Sequence, residues 1–258
     1  MSKHFELMQK MEAEKRSAAH HFADPPSRPA HRDGHTSRPA HRDGRNIHPQ
    51  WASDEALRLV QQIFMLPTGD SPRLVVFAGM DHGNGCSEIC ASVAETLAKS
   101  ARGPVCLVEA NFHSPTLLKL FGTTNYHGLT DALGQQDQSM ASFAKALPQE
   151  NLWLLSSGAI AADSSQLLCS DGLRERILDL RNDFDYVIID APPLTRYPES
   201  IALGQIADGL VLVLEAEATR REAASAAAAS LRAANVPILA AVLNKRNFPI
   251  PEKLYKRL

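Results

Sequence analysis

Residues 74–97, LVVFAGMDHGNGCSEICASVAETL, constrain this chain more than any other stretch. Residues 74–78 are apolar throughout and read as a buried strand. A glycine-bearing loop, 79–85, follows, and a helix opens near Ser87. Strand, glycine loop and helix in that order form a phosphate-binding layout, in which backbone N–H groups and the positive helix end converge on an anion. The motif G-x-x-x-x-G-K-[ST] begins at Gly79 and reaches its second glycine two residues late, at Gly85. Cys86 stands where the lysine belongs, and Ser87 keeps the hydroxyl that would reach Mg²⁺.

The remaining chain alternates in the way such a strand requires. An amphipathic helix is predicted over 53–64 (SDEALRLVQQIF), with Ser53 as N-cap and Leu57, Val60, Ile63 and Phe64 at helical spacing. After the helix at 87–101 come a strand at 105–110, helical turns at 115–121 and 128–133, and a further helix at 140–146. A strand at 152–156 and a largely helical stretch at 164–183 follow. Strand 186–190 (YVIID) ends on an acid. Helix 200–206, strand 210–215, an alanine-rich helix at 219–234 and strand 238–244 complete the series. Apolar strands without polar alternation, separated by helices, predict an α/β fold: a mostly parallel sheet with helices on both faces. Ligands in such sheets bind at the C-terminal ends of the strands. The loop 79–87, Glu109 with Asn111, Asp190 and Asn244 all fall at such ends. The alanine run 223–229 reads as a close-packed helix face.

The first 50 residues differ from the rest. They carry nine Lys/Arg against six Asp/Glu and seven of the ten histidines, and they repeat SRPAHRDG at 27–34 and 37–44. Residues 1–21 read as a short charged helix on a tail, or one that docks a partner. Residues 22–49 hold too few apolar side chains to offset ordering entropy and are expected to be disordered. Their His/Arg content reads as a solvated linker, with metal or anionic-surface binding as the sharper alternative. The expected division is a tail at 1–50, a domain at 51–248 and a basic C-terminal tail at 249–258. The net charge of −2 gives no global sign of a nucleic-acid partner. No apolar run nears the 18 residues of a membrane span, and the N-terminus has no apolar segment of a secretory leader. Cys86, Cys90, Cys106 and Cys169 form no C-x-x-C pair, as in a cytoplasmic chain of reduced thiols.

These segments together resemble the cytoplasmic domain of bacterial tyrosine kinases of the capsule and exopolysaccharide type, relatives of the MinD/ParA P-loop ATPases. The resemblance runs from about 53 to about 247. The family's E-x-x-R-x-x-R helix is similar to Glu55 through Gln61, with Arg58 kept and the second arginine lost. Its loop and helix correspond to Asn84, Gly85, Cys86, Ser87 and Glu88, running on to Val93 and Ala94. Its L-L-I-D-x-D-x-R-x-P motif corresponds to residues 107–115, with Glu109 and Asn111 for the aspartates and His113 for the arginine. The G-L-x-D-x-L segment recurs at 128–133 and L-L-x-S at 167–170. The D-Y-V-I-I-D-x-P-P motif is intact at 185–193, and Asp208, Gly209 and 242–244 also match.

The resemblance implies a nucleotide site built from Gly83, Asn84, Gly85, Cys86, Ser87, Glu88 and Asn244, with ATP and Mg²⁺ as cofactors. Ser87 and Asp190 would hold the metal, and Glu109 and Asp190 would carry catalysis. It also implies self-association through Glu55 and Arg58, a phosphosite at Tyr255, and a membrane-anchored polysaccharide copolymerase or chain-length protein as partner. The chain would then sit in the cytoplasm, peripheral at the inner membrane through that partner. Against this stands the charge of the loop, where Cys86 brings no cation and Glu88 adds an anion. Phosphoryl transfer rests on positioning and charge neutralisation, so the expectation is a degenerate member that regulates or scaffolds polysaccharide synthesis and export. The alternatives are an active protein-tyrosine autokinase controlling chain length, and a MinD/ParA-like positioning ATPase. The loop lacks that last group's extra early lysine.

Several residues keep two readings. Ser87 is a Mg²⁺ ligand or a plain N-cap. Asp190 orders a metal through water or caps a turn. Asn244 reads a base or bonds backbone. Cys86 is a thiol activated by a helix N-terminus, or half of a metal or redox pair with Cys90. Tyr255 is a phosphosite or an ordinary tail tyrosine.

Overall fold

Seven strands lie in one sheet in the order β3-β4-β2-β5-β1-β6-β7. The computed structural model describes residues 49–65, 71–135, 137–160, 164–168 and 171–246. All of these belong to a unit spanning Asn46–Leu258. The elements, in chain order, are α1 (Pro49–Phe64), β1 (Leu74–Gly79), α2 (Cys86–Ser100), β2 (Val105–Glu109), α3 (Leu117–Leu120), α4 (Leu129–Gly134) and a 3₁₀ turn (Met140–Phe143). They continue with β3 (Lys145–Ala146), β4 (Leu152–Leu155), α5 (Ser164–Leu167), α6 (Asp171–Asp183) and β5 (Tyr186–Ala191). The last are α7 (Glu199–Ile206), β6 (Gly209–Glu215), α8 (Arg221–Ala233) and β7 (Ile238–Asn244).

Every pairing is parallel except β3 with β4. Both faces of the sheet are covered, which is why its strands read as unbroken apolar runs. In β1, Leu74, Val76 and Ala78 join one core with Leu129, Met140, Ile177, Leu180 and Leu203. Val75 and Phe77 join the other, with Val60, Ile63, Phe64, Val93 and Leu97 from α1 and α2. The parallel α/β architecture expected from the sequence is the one observed.

Three local expectations need correction. Helix α1 starts at Pro49, four residues before Ser53. Proline has no N–H to lose at a first helical position, so it opens the helix where Ser53 was expected to cap it. The predicted helix at 140–146 is a single 3₁₀ turn followed by β3. Ser139 caps that turn by accepting from the Ala141 N–H at 3.2 Å, and Lys145 and Ala146 then pair with Leu154 and Trp153. The stretch 164–183 is largely helical as expected, in α5 and α6. The alanine run of α8 packs on one side only: Ala227 lies against the core on the face of the buried Leu231, while Ala223, Ala226 and Ala229 are exposed.

Long-range polar ties fix the strand ends. Against the penalty of its partial burial, hydrogen bonds from Arg181 and the Leu74 and Arg73 amides hold the Asp208 carboxyl below its ordinary value. Arg176, 8% exposed, donates to the Ala132, Gln135 and Gln138 carbonyls at 2.8, 3.2 and 2.8 Å, tying α6 to the end of α4. The tail at 1–48 and residues 247–258, with the SRPAHRDG repeats and Tyr255, lie outside the described residues. Among the described residues no helix is long and apolar enough to cross a membrane.

Candidate functional site

The C-terminal ends of β1, β2 and β5 meet at one edge of the sheet. Register places Glu109 beside Asp190 and Phe77 beside Asp190 on the two flanks of β5. The loop after β1 arches over this edge. Gly83 and Gly85 take φ of 77° and 82°, backbone that side chains rarely adopt, which fixes glycine at both. A Cβ at Gly85 would also run into the Asn244 side chain.

Asn84 is the keystone of that loop. It is 3% exposed. Its Nδ2 donates to the Val213 carbonyl at 3.0 Å and its Oδ1 accepts from the Cys86 N–H at 3.2 Å. Asn244 Nδ2 donates to the Asn84 carbonyl at 2.8 Å. The loop is therefore pinned to the ends of β6 and β7, and the first amide of α2 is satisfied from within the chain. Asn244 follows the backbone-bonding reading of its two alternatives.

Below the loop a cleft of about 130 Å³ opens, against roughly 300–1,000 Å³ for common small-molecule pockets. The loop lines it with Gly79, Asp81, His82, Gly83, Asn84 and Gly85. Cys86, Ser87 and Glu88 come from the start of α2, Asn111, Ser114 and Thr116 from beyond β2, and Ala191 and Pro193 from beyond β5. All the residues read as nucleotide-binding line this cleft except Asn244, which braces it. Among its lining residues none is lysine or arginine, while Asp81 and Glu88 are acids. Asp81 already accepts from Thr195 Oγ1 at 2.8 Å and lies 3.8 Å from Arg196 Nε.

Asp190 sits behind the cleft, 1% exposed. Its Oδ2 accepts from Ser87 Oγ at 2.6 Å. Its Oδ1 is buried with no hydrogen-bond partner among the described residues. Burial, with the neighbouring Glu109 and Glu88, pushes its carboxyl up to about 7, although the Ser87 bond pulls the other way. Ser87 is not the N-cap of α2, a position held by Gly85; its hydroxyl is turned to Asp190 instead.

The Cys86 thiol is not activated. Burial and the Asp190 carboxylate hold Cys86 well above its ordinary value, overriding the helix N-terminus that was expected to activate it. Cys90 is fully buried and raised for the same first reason. Among the described residues no three His, Cys, Asp or Glu side chains gather to hold a metal ion, and Cys86 and Cys90 are free thiols.

Glu109 is fully buried and does not line the cleft. Its Oε1 accepts from the Thr116 and Leu117 amides at 2.6 Å each, and its Oε2 from the Ser157 amide at 3.3 Å. Its acceptors are spent on the backbone around α3. The extra methylene relative to aspartate carries the carboxylate past the strand end to those amides.

One assembly had no signal in the sequence. His113 Nε2 pairs with Glu199 Oε1 at 3.0 Å. The His113 ring stacks on Tyr197 with centroids 3.5 Å apart and planes 10° apart. Tyr197 Oη meets His82 Nε2 at 3.4 Å. Three loops are thereby linked at the rim of the cleft. His113 was visible as an arginine replacement, but its partners are 84 and 86 residues away and meet it only because β2 and β5 are neighbours.

The lining residues offer a triphosphate no lysine or arginine. A unit charge about 4 Å from a phosphate oxygen is worth on the order of 1–4 kcal/mol, from water to a protein surface. That is roughly one to three decades of affinity. Here a cation is missing and Glu88 is added.

Comparison with known proteins bears on the same region. No family model matches the chain. The tyrosine-protein kinase YwqD of Bacillus subtilis (strain 168) is 32% identical over 162 residues, covering 63% of this chain and 68% of that protein. The putative tyrosine-protein kinase CapB of Staphylococcus aureus is 24% identical over 198 residues, covering 76% and 86%. Among solved structures, the chimerical protein CapA2B2 superposes with a TM-score of 0.70 at 21% identity, covering 80% of this chain and 88% of that one. The septum site-determining protein MinD of Pyrococcus horikoshii, complexed with Mg-ADP, superposes with a TM-score of 0.57 at 19% identity, covering 72% and 76%. These structural likenesses give the fold, a MinD/ParA-like P-loop architecture.

Proposed function

The chain belongs to the family of bacterial tyrosine-protein kinases, and on that premise we propose that it is a binding member of the family, degenerate in phosphoryl transfer. In this reading it regulates or scaffolds capsule or exopolysaccharide synthesis and export. The observation that carries the reading is the cleft without lysine or arginine, whose loop presents Cys86 and Glu88 where a triphosphate would need a cation. The internal capping of the Cys86 amide by Asn84 supports it, because a donor otherwise available to phosphate is already taken.

Its proposed partner is a membrane-anchored copolymerase or chain-length protein, which would hold it at the inner membrane from the cytoplasmic side. The proposed arrangement keeps residues 1–50 as a tail, 51–248 as the interacting domain and 249–258 as a basic tail. Self-association would run through the exposed Glu55–Arg58 pair of α1, 3.3 Å apart.

A second reading, weak ATP·Mg²⁺ binding with autokinase activity, draws support from the Ser87–Asp190 pair. If ATP binds, Gly83, Asn84, Gly85 and Ser87 would surround its phosphates, and Ser87 and Asp190 would face the metal. ATP would supply the phosphoryl group; the chain's own contribution would be to orient it without a loop cation. Calorimetric titration with ATP, with and without Mg²⁺, separates the readings. The binding-member reading expects dissociation constants in the millimolar range or no binding. Micromolar affinity together with phosphate appearing on Tyr255 would overturn it.

A further inference from the structure

The cleft is poor in donors and holds acceptors that nothing in the chain uses. Glu88 lines it and is exposed, and among the described residues it has no ion-pair partner. The other lining acid, Asp81, already has Arg196 at 3.8 Å. The charges of Glu88 and Glu109 both act on Asp190, so three carboxyl groups crowd the end of the cleft where α2 begins.

Two buried oxygens there lack a hydrogen-bond partner among the described residues, Asp190 Oδ1 and Thr116 Oγ1. Thr116 lines the cleft. Asp190 is 1% exposed, and its carboxyl lies against the cleft wall: the lining residue Ser87 donates to Oδ2 at 2.6 Å, and the next residue, Ala191, lines the cleft as well. Buried acceptors are ordinarily paired, because an unpaired one forfeits its hydration. A group that donates hydrogen bonds and carries positive charge would satisfy both oxygens and neutralise Glu88.

The geometry narrows the kind of cation. A divalent metal ion wants several oxygens around one point, and among the described residues no three acidic, histidine or cysteine side chains gather in that way. Glu109 has spent its oxygens on backbone amides. A guanidinium binds best to both oxygens of one carboxylate, but Ser87 occupies one oxygen of Asp190. An ammonium is compact and has three donors that can point to separate acceptors. The cleft volume of about 130 Å³ suits an aliphatic stem ending in such a group.

We propose that the cleft takes a primary ammonium group, from a lysine side chain of a binding partner or from a free aliphatic amine, held by Glu88, Asp190 Oδ1 and Thr116 Oγ1. The inference rests on the reading of the chain as a binding member of its family and gives that site a ligand class.

NMR titration of the full chain at pH 8 tests it with two probes, N-acetyl-lysine N-methylamide and 1,4-diaminobutane. At least one is expected to move the Ser87, Glu88 and Thr116 amides saturably, with a dissociation constant in the millimolar range. A response to the lysine derivative alone assigns a partner's side chain, and a response to the diamine alone assigns a free amine. Glu88→Gln and Asp190→Asn should each weaken binding at least ~10-fold, as loss of a charged acceptor does, while the amides of β1 and β5 keep their positions. Tetramethylammonium, which has the charge but no N–H, should move nothing. Silence from both amines would overturn the proposal. So would equal shifts with tetramethylammonium, affinity unchanged in the variants, or Mg²⁺ displacing the amine at lower concentration, which would assign the cleft to a divalent ion. If Asp190→Asn does not fold, the exposed Glu88→Gln decides. ATP titrated beside the amines separates the two readings: silence from both ligands sinks this inference alone, whereas micromolar ATP affinity removes its premise too.

Discussion

Position 86 concentrates the chemistry of the cleft. A thiol there is neutral, because burial and Asp190 hold its proton on, and Glu88 two residues later is the only formal charge contributed by the start of α2. Cys86→Lys combined with Glu88→Thr should raise ATP affinity by at least ~10-fold in the presence of Mg²⁺, read by calorimetry; no gain would mean that charge was not the limiting defect. Asp190 supplies a second prediction. Its carboxyl titrates near 7 when folded, above its ordinary value of 3.8. The folded state therefore holds this proton more tightly than the unfolded state does. The stabilisation is full below about pH 4 and is lost as pH rises through about 7. Asp190→Asn should melt at a higher temperature than the unaltered protein at pH 8, with the difference narrowing toward pH 5. The His113–Glu199 pair, the Tyr197 stack and the His82 contact are decided at this scale too, and none could be anticipated from neighbours in sequence.

At the scale of elements, position in the sheet redefines what a residue does. Glu109 reads in sequence as a strand-end acid, yet its carboxylate anchors the backbone leading into α3. Glu109→Ala leaves three amides without an acceptor and should cost about 3 kcal/mol, seen as a lower urea midpoint with an unchanged slope. A catalytic role alone would leave that midpoint near its original value. Arg176 performs a similar task between α6 and α4. Arg176→Ala should destabilise by about 2 kcal/mol in the same measurement, since charged donors to carbonyls are worth roughly 1.5–3 kcal/mol each way. Elements with long apolar periodicity, such as α1, α2 and the six parallel strands, were legible because burial on one or both faces imposes a repeating pattern. The segment 140–146 was not, because two residues of strand and one turn of helix leave no period to read.

Across the whole molecule, two cores on opposite faces of one sheet carry the stability, while Glu55 and Arg58, the proposed residues of self-association, lie exposed on α1. The Glu55–Arg58 pair has side chains 55% and 72% exposed, so it should contribute under ~0.5 kcal/mol to folding. Replacing both by Ala should leave the melting temperature unchanged and lower the molecular mass seen by sedimentation toward that of a monomer. A loss of mass accompanied by unfolding would deny α1 that separate role.

The sequence by itself determined the architecture: strands buried on both faces can tolerate few polar residues, and that restriction is written locally in the chain. It also determined where the cleft would lie and that its cation was gone, since both follow from a strand, a glycine loop and one missing lysine. Only the tertiary structure decided what the acids do. Whether Glu109 reaches a cleft or a buried set of amides, and whether Asp190 keeps its proton, depends on charges and surfaces contributed by strands and loops distant along the chain. Those interactions act through space, so no reading of neighbouring residues contains them.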